Sequence, residues 1–270
     1  MTFKELCVSA GIDNLDAELI LAHLLKKPRT WLLAHDDEKL EPALEKRFGK
    51  LLARRKEGEP IAYITGEKEF FGRKFAVTPD VLIPRPSTEG LVELALKYLS
   101  KPAAMTAELD SGIAGITKVL HAGSWNTVVD IGTGSGCIAI TLALEGRNER
   151  IIGVDISKKA LMIADENARR HGVSDRIEFI QSDGIKFIAG FKESFVVISN
   201  PPYIPKRIRL PDTVIKFEPA LSLYAGPEGL DILRPLAKAS SRNPACKGIV
   251  LELREDQIPI IQGEWTMDNG

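Results

Sequence analysis

Asn200-Pro201-Pro202-Tyr203 is the run of this sequence whose residue types most narrowly restrict its chemistry. Two prolines in a row remove two backbone donors and fix φ twice, which leaves a stiff loop rich in carbonyl acceptors. The Asn200 side chain adds an acceptor oxygen. Asn200 Oδ1 and the Pro201 carbonyl can therefore hold an NH2 group by both of its hydrogens. Amide and adenine amino nitrogens need that help, because their lone pair is shared with a π system. Two acceptors raise the electron density on such a nitrogen and hold it in line with an electrophile. Tyr203 is placed to wall the planar group. N-P and P-P pairs also mark ordinary turns. What argues against a mere turn is the position, since the run ends the apolar strand Ser194–Ser199.

A second constellation lies upstream. Val128-Val129-Asp130-Ile131 runs into Gly132-Thr133-Gly134-Ser135-Gly136 and then a helix. Glycines allow a tight turn and close approach of a ligand to the backbone. A dinucleotide fingerprint would read GxGxxG, but here the third small position is taken by Cys137 and the spacing is GxGxG. A dehydrogenase is disfavoured on that count. The pattern is similar to the adenosylmethionine loop of class I methyltransferases. Asp130 would repel a pyrophosphate, yet it suits a ligand carrying an ammonium and a sulfonium. Asp155 ends the next strand, 21 residues after Gly134, where an acidic side chain can accept from ribose hydroxyls. Asp183 ends the third strand, placed for the adenine amine. Each Asp alone could be a helix cap or turn residue; three at successive strand ends behind a glycine loop point to a site. The expected cofactor is S-adenosyl-L-methionine. Its binding set is Asp130, Ile131, Gly132, Thr133, Gly134, Gly136, Asp155, Asp183, Gly184 and Asn200.

These loops need a scaffold. From Asn126 the pattern alternates, with strands near 127–131, 150–155, 176–181, 194–199 and 248–253 and helices near 136–144, 158–171 and 228–241. That alternation predicts an α/β fold with a doubly wound parallel sheet. Residues 1–58 read as a small all-α domain. Thr2 and Glu5 have capping-box spacing, Asp13 precedes a helical apolar run stopped at Pro28, and a helix spans about 42–56 before Gly58. Residues 59–125 read as a hairpin and linker region, with the hairpin near 68–78 and Thr88 capping a helix over 89–99. The stretch 100–125 is treated as a connector, and 126–270 as the methyltransferase domain.

With both motifs placed, the chain resembles the release-factor glutamine methyltransferases, the PrmC/HemK family. The likeness includes residues 58–66, Glu69-Phe70-Phe71-Gly72, Val81–Pro86, Asp130–Gly136, Asn200–Tyr203 and Phe217-Glu218-Pro219. It implies N5-methylation of the glutamine in the GGQ loop of peptide-chain release factors. It also implies a helical N-terminal domain that helps bind the release factor, joined by a hairpin to the catalytic domain. The catalytic set is Asn200, Pro201, Pro202 and Tyr203; the substrate-binding set adds Arg85. Ser87 stands where the family usually has Glu. The family's antiparallel C-terminal strand pair is expected to be largely missing after Leu253, which would bare a sheet edge.

Lys and Arg number 36 against 37 Asp and Glu, so the basic surplus of a typical duplex-DNA binder is absent. Residues 204–216 are locally basic through Lys206, Arg207, Arg209 and Lys216 against Asp212, which suits a solvated loop, or contact with an acidic patch of the protein substrate or with RNA. No metal site or disulfide is expected from Cys7, Cys137 and Cys246, nor a membrane span. A cytoplasmic monomer is expected. An adenine-N6 nucleic-acid methyltransferase shares the Asn-Pro-Pro-Tyr logic and is the main alternative, followed by a non-catalytic adenosylmethionine-binding module.

Overall fold

The computed structural model describes residues 1–99, 116–120, 126–146 and 150–266. Two compact units are present: Met1–Glu67 with Pro211–Phe217, and Lys68–Leu210 with Glu218–Gly270. This differs from the sequence division. Residues 59–66 fall in the helical unit, most of the expected linker falls in the larger unit, and 211–217 joins the helices. Among the described residues, no helix is long and apolar enough to cross a membrane.

The helical unit contains Phe3–Val8, Asn14–Leu25, Arg29–Ala34, Pro42–Lys56, Ile61–Thr65 and Asp212–Phe217. The Thr2–Glu5 capping box forms, and Asp13 caps the second helix through Leu15 N at 2.9 Å. Lys26 in the left-handed region ends that helix, and Pro28 starts the next. Ala17, Ile20 and Leu21 pack with Phe3, Leu32 and Phe48 into one core. Helix 212–217 seats on the end of helix 42–56. A Cβ on Gly58 would lie 2.7 Å from Thr213 Cγ2, and Lys216 Nζ donates to the Glu57 carbonyl. Residues 61–65, read as leading into the hairpin, form a helical turn closed by Gly66 in the left-handed region.

The hairpin pairs β1 (Glu67–Phe70) with β2 (Arg73–Ala76). Phe71 and Gly72 both have positive φ, the geometry a two-residue hairpin turn demands. Glu89 Oε1 fixes the turn by accepting from Phe71 N at 2.8 Å. The following helix begins at Pro86, three residues earlier than expected, because proline at a first helical position is pre-set for it. Thr88 is therefore inside the first turn and does not cap it.

The main sheet has β3 (Ile116–Leu120), β4 (Thr127–Ile131), β5 (Arg150–Asp155), β6 (Ile177–Gln181), β7 (Phe195–Ser199) and β8 (Cys246–Glu252) in the order β3-β8-β7-β4-β5-β6. The five from β4 to β8 are parallel, and β3 is antiparallel to β8. Two expectations are corrected here. The connector contains a strand, and that strand pairs the β8 edge that was expected to be bare. Pairing satisfies the backbone groups of β8 that would otherwise template association. The sheet is covered on both faces. Leu91, Val92, Ile140, Leu142 and Ala168 form one core, and Ile188, Leu233, Leu236 and Ile261 lie in the other. Residues 228–232 are not helical, and the helix expected from 228 starts at Leu233.

Candidate active site

Strand order reverses at β4, which pairs with β5 on one side and β7 on the other. Loops leaving the carboxyl ends of strands at such a switch point border a ligand crevice. The glycine loop leaves β4 there. Gly132, Gly134 and Gly136 have φ of 73°, 54° and 79°, which only glycine adopts at low cost. Asp130 is fully buried beneath it. Its Oδ2 accepts from Thr133 Oγ1 at 2.7 Å and from Ala139 N at 3.2 Å. Gly136 provides no side chain to cap helix Cys137–Glu145, so Asp130 satisfies one of that helix's orphan donors. Its Oδ1 is buried and has no hydrogen-bond partner among the described residues. Burial, opposed by those two hydrogen bonds, pushes the carboxyl up to about 7.

Asp155 at the end of β5 accepts from Gly134 N through Oδ2 and from Ser157 N through Oδ1, each at 2.9 Å. It therefore braces the glycine loop directly. Asp183 caps helix Gly184–Gly190, with Oδ1 accepting from Ile185 N and Lys186 N. Gly184 packs on Ile131, because a Cβ there would lie 2.5 Å from Ile131 Cγ2. Asn167, fully buried, donates to the carbonyls of Ala76 and Ser135, and so ties the glycine loop to the end of β2.

Asn200 follows β7. Ser199 Oγ anchors that strand end by donating to the Ile131 carbonyl at 2.6 Å. Asn200 Nδ2 donates to Thr88 Oγ1 at 2.8 Å, and Oδ1 accepts from none of the described residues. Pro201 is buried and Pro202 partly so. Tyr203 Oη donates to Glu252 Oε1 at 3.1 Å, and Ser87 Oγ donates to the same oxygen at 2.9 Å. Burial, reinforced by the Glu252 carboxylate, holds the phenol above its ordinary value, so it remains a donor. Arg85 Nη2 meets Glu218 Oε1 at 2.6 Å, and Glu218 Oε2 accepts from Ile83 N. Arg85 is therefore committed to a buried carboxylate that shapes its own loop.

A family model described as the PrmC N-terminal domain matches residues 4–66, and one described as a methyltransferase domain matches 123–230. A release factor glutamine methyltransferase of Bordetella pertussis is 37% identical over 87% of this chain and 78% of that protein. This chain belongs to the release factor glutamine methyltransferase family. The enzyme of that name from Nitratidesulfovibrio vulgaris is 40% identical, covering 90% of this chain and 76% of its own length. The chain spans about half, 47%, of the bifunctional methyltransferase of Rickettsia prowazekii. Among solved structures, the hMettl16 catalytic domain in complex with a MAT2A 3'UTR hairpin superposes with a TM-score of 0.51 at 13% identity, covering 85% of this chain and 74% of that one. That likeness is of fold.

For a member of this family, the sequence motifs indicate the loop ends but not their supports. Glu252, Gln257 and Asn167 stand in none of those motifs, and Glu218 stands in one, Phe217-Glu218-Pro219, that gave it no supporting role. Glu252 had a visible signal, a carboxylate closing the apolar strand Gly248–Leu253. Gln257 had none. It is 2% exposed, and its Nε2 donates to the carbonyls of Tyr203, Glu228 and Gly229 at 3.0, 3.1 and 3.2 Å. It thereby clamps the far end of the Asn-Pro-Pro-Tyr loop to the 228–229 turn.

Proposed function

We propose that this chain transfers a methyl group from S-adenosyl-L-methionine to the side-chain amide nitrogen of the glutamine in the GGQ motif of peptide-chain release factors. The observation that carries the reading is Asn200, whose Nδ2 is held by Thr88 while Oδ1 is left to accept. With the Pro201 carbonyl beside it in sequence, Oδ1 supplies one of the two acceptors an amide NH2 requires. Bound adenosylmethionine supplies an electrophilic methyl on a sulfonium. The residues do the rest: they orient the nitrogen, accept its hydrogens and hold the plane of the amide against Tyr203. The glycine loop, Asp155 and the second oxygen of Asp183 suit the ribose and adenine, since each carboxylate keeps lone pairs beyond those its backbone bonds use.

Asp130 fits a cationic ligand, because its Oδ1 is buried with no partner among the described residues. A pH dependence follows. The folded-state pKa, about 7, lies above the ordinary 3.8, so the ligand-free protein retains a proton that the unfolded chain has lost. That group's contribution to stability is fully present below about 4 and is lost as pH rises through about 7. An ammonium nearby favours the carboxylate, so ligand binding should release up to one proton below pH 7. Adenosylmethionine affinity should rise from pH 6 toward 8 and then level. Calorimetry in buffers of different ionisation enthalpy would show this, and Asp130→Asn should remove it. An affinity independent of pH in the parent protein would break the link.

The helical unit is the part we assign to holding the intact release factor. The enzyme should then methylate whole release factor with kcat/KM at least roughly 10-fold above that for a short GGQ peptide, about 1.4 kcal/mol of added recognition. Steady-state kinetics on both substrates decides it. Equal kcat/KM would confine recognition to the glutamine loop.

A further inference from the structure

We infer that Thr88 is a positioning residue for methyl transfer, fixing which end of the Asn200 amide faces the target nitrogen. The inference rests on the amide-clamp reading above. An asparagine amide has nearly the same shape when turned end for end, but its chemistry reverses. With Oδ1 forward, it accepts a hydrogen from the target. With Nδ2 forward, it offers donors to an NH2 that itself only donates. Asn200 alone does not decide between the two.

In the structure Nδ2 is the end that meets the Thr88 hydroxyl oxygen, at 2.8 Å, which leaves Oδ1 as the end with no bond among the described residues. Thr88 is 3% exposed, so water has little room to take over that contact. Its backbone N–H donates to the Arg85 carbonyl at 3.0 Å. It sits in the first turn of helix Pro86–Leu99, which Leu91 and Val92 anchor at 0% exposure. A β-branched side chain on a packed helix has few rotamers to visit, which makes it a fixed reference for a functional amide. A hydroxyl can also donate, and the amide would then present its NH2 to the target. That arrangement lacks one of the two acceptors, so the working state is the one with Nδ2 on Thr88.

The test uses full-length variants and single-turnover methylation of a release factor, alongside adenosylmethionine affinity and thermal melting. Thr88→Val and Thr88→Ala remove the hydroxyl, and Thr88→Ser keeps it. Both hydroxyl-free variants should slow methyl transfer roughly 10-fold or more, the scale of one preorganised contact. Cofactor affinity should stay within about 3-fold, and Thr88→Ser should stay within about 3-fold of the parent rate. The Asn200 side-chain NH2 resonances should lose their protection from solvent exchange in Thr88→Val. The sharper measurement is the pair Asn200→Asp and Thr88→Val/Asn200→Asp. A carboxylate has two equal ends and nothing to orient, so Thr88→Val should cost less than about 3-fold there. A similar cost in both backgrounds, full activity in Thr88→Val, failure of Thr88→Ser, or failure of both hydroxyl-free variants to fold would overturn the inference. If Asn200→Ala itself reacts normally, it is the amide clamp that is wrong. An inactive Asn200→Ala with a fully active Thr88→Val removes only the role of Thr88.

Discussion

Replacing Asn200 by alanine is expected to slow single-turnover methyl transfer by roughly 100-fold or more, the cost of deleting one preorganised polar contact at a reacting centre. The side chain makes a single described hydrogen bond, to Thr88, so folding should lose little. Most of the loop's restraint comes from elsewhere: the two prolines, Ser199 on the Ile131 carbonyl, and Gln257 on the Tyr203 carbonyl. Adenosylmethionine affinity should fall only modestly. Asn200→Asp retains an acceptor and should keep partial activity, above that of the alanine variant. Rapid-quench methylation of a release factor by the three proteins gives the ranking. Parity of the alanine variant with the parent would reduce Asn-Pro-Pro-Tyr to a turn.

Gly229→Ala should be strongly damaging. Gly229 has φ of 75°, and an added Cβ would lie 2.2 Å from the Tyr203 carbonyl oxygen, 2.8 Å from Gln257 Nε2 and 2.9 Å from Pro205 N. Two of those three atoms are backbone and have no rotamer to escape into. Either the turn or the catalytic loop must move, and the Gln257 clamp is lost with it. A stability loss of about 3 kcal/mol or more is expected, with a melting temperature lowered by roughly 10 °C. Methyl transfer should fall further than cofactor binding, because the displaced loop carries Tyr203. Gly190→Ala is the control: nothing lies within 4 Å of its added Cβ. If the two variants melt together, the loop is not clamped as described.

The residues that could be read directly from the sequence are those whose function follows from their own backbone or side chain. Three glycines at GxGxG spacing had to form a tight turn, and they do. Asn-Pro-Pro had to be stiff and rich in acceptors. Asp13 and Thr2 were legible as caps because the bond is local. What the sequence hid is long-range. Ser87 and Tyr203 converge on Glu252 across separations of 165 and 49 residues, and no spacing rule joins them. Thr88 looked like a cap because threonine near a helix start usually is one; Pro86 moved that start and freed the hydroxyl for Asn200. Asp183 was read as a ligand residue, and in the structure its Oδ1 caps a helix, the other use an Asp at a strand end can have. Ile116–Leu120 gave no strand signal above its glycine- and alanine-rich surroundings. Its identity as β3 comes from pairing with β8, a partner far along the chain.

The central claim is the identity of the methylated atom. Incubating the protein with isotopically labelled adenosylmethionine and a purified release factor, then digesting and mass-mapping the product, reads it directly. One labelled methyl is expected on the side-chain nitrogen of the GGQ glutamine, and none on a release factor whose GGQ glutamine is replaced. Label on a different residue, or on adenine of nucleic acid supplied in parallel with the release factor left unmodified, would contradict it.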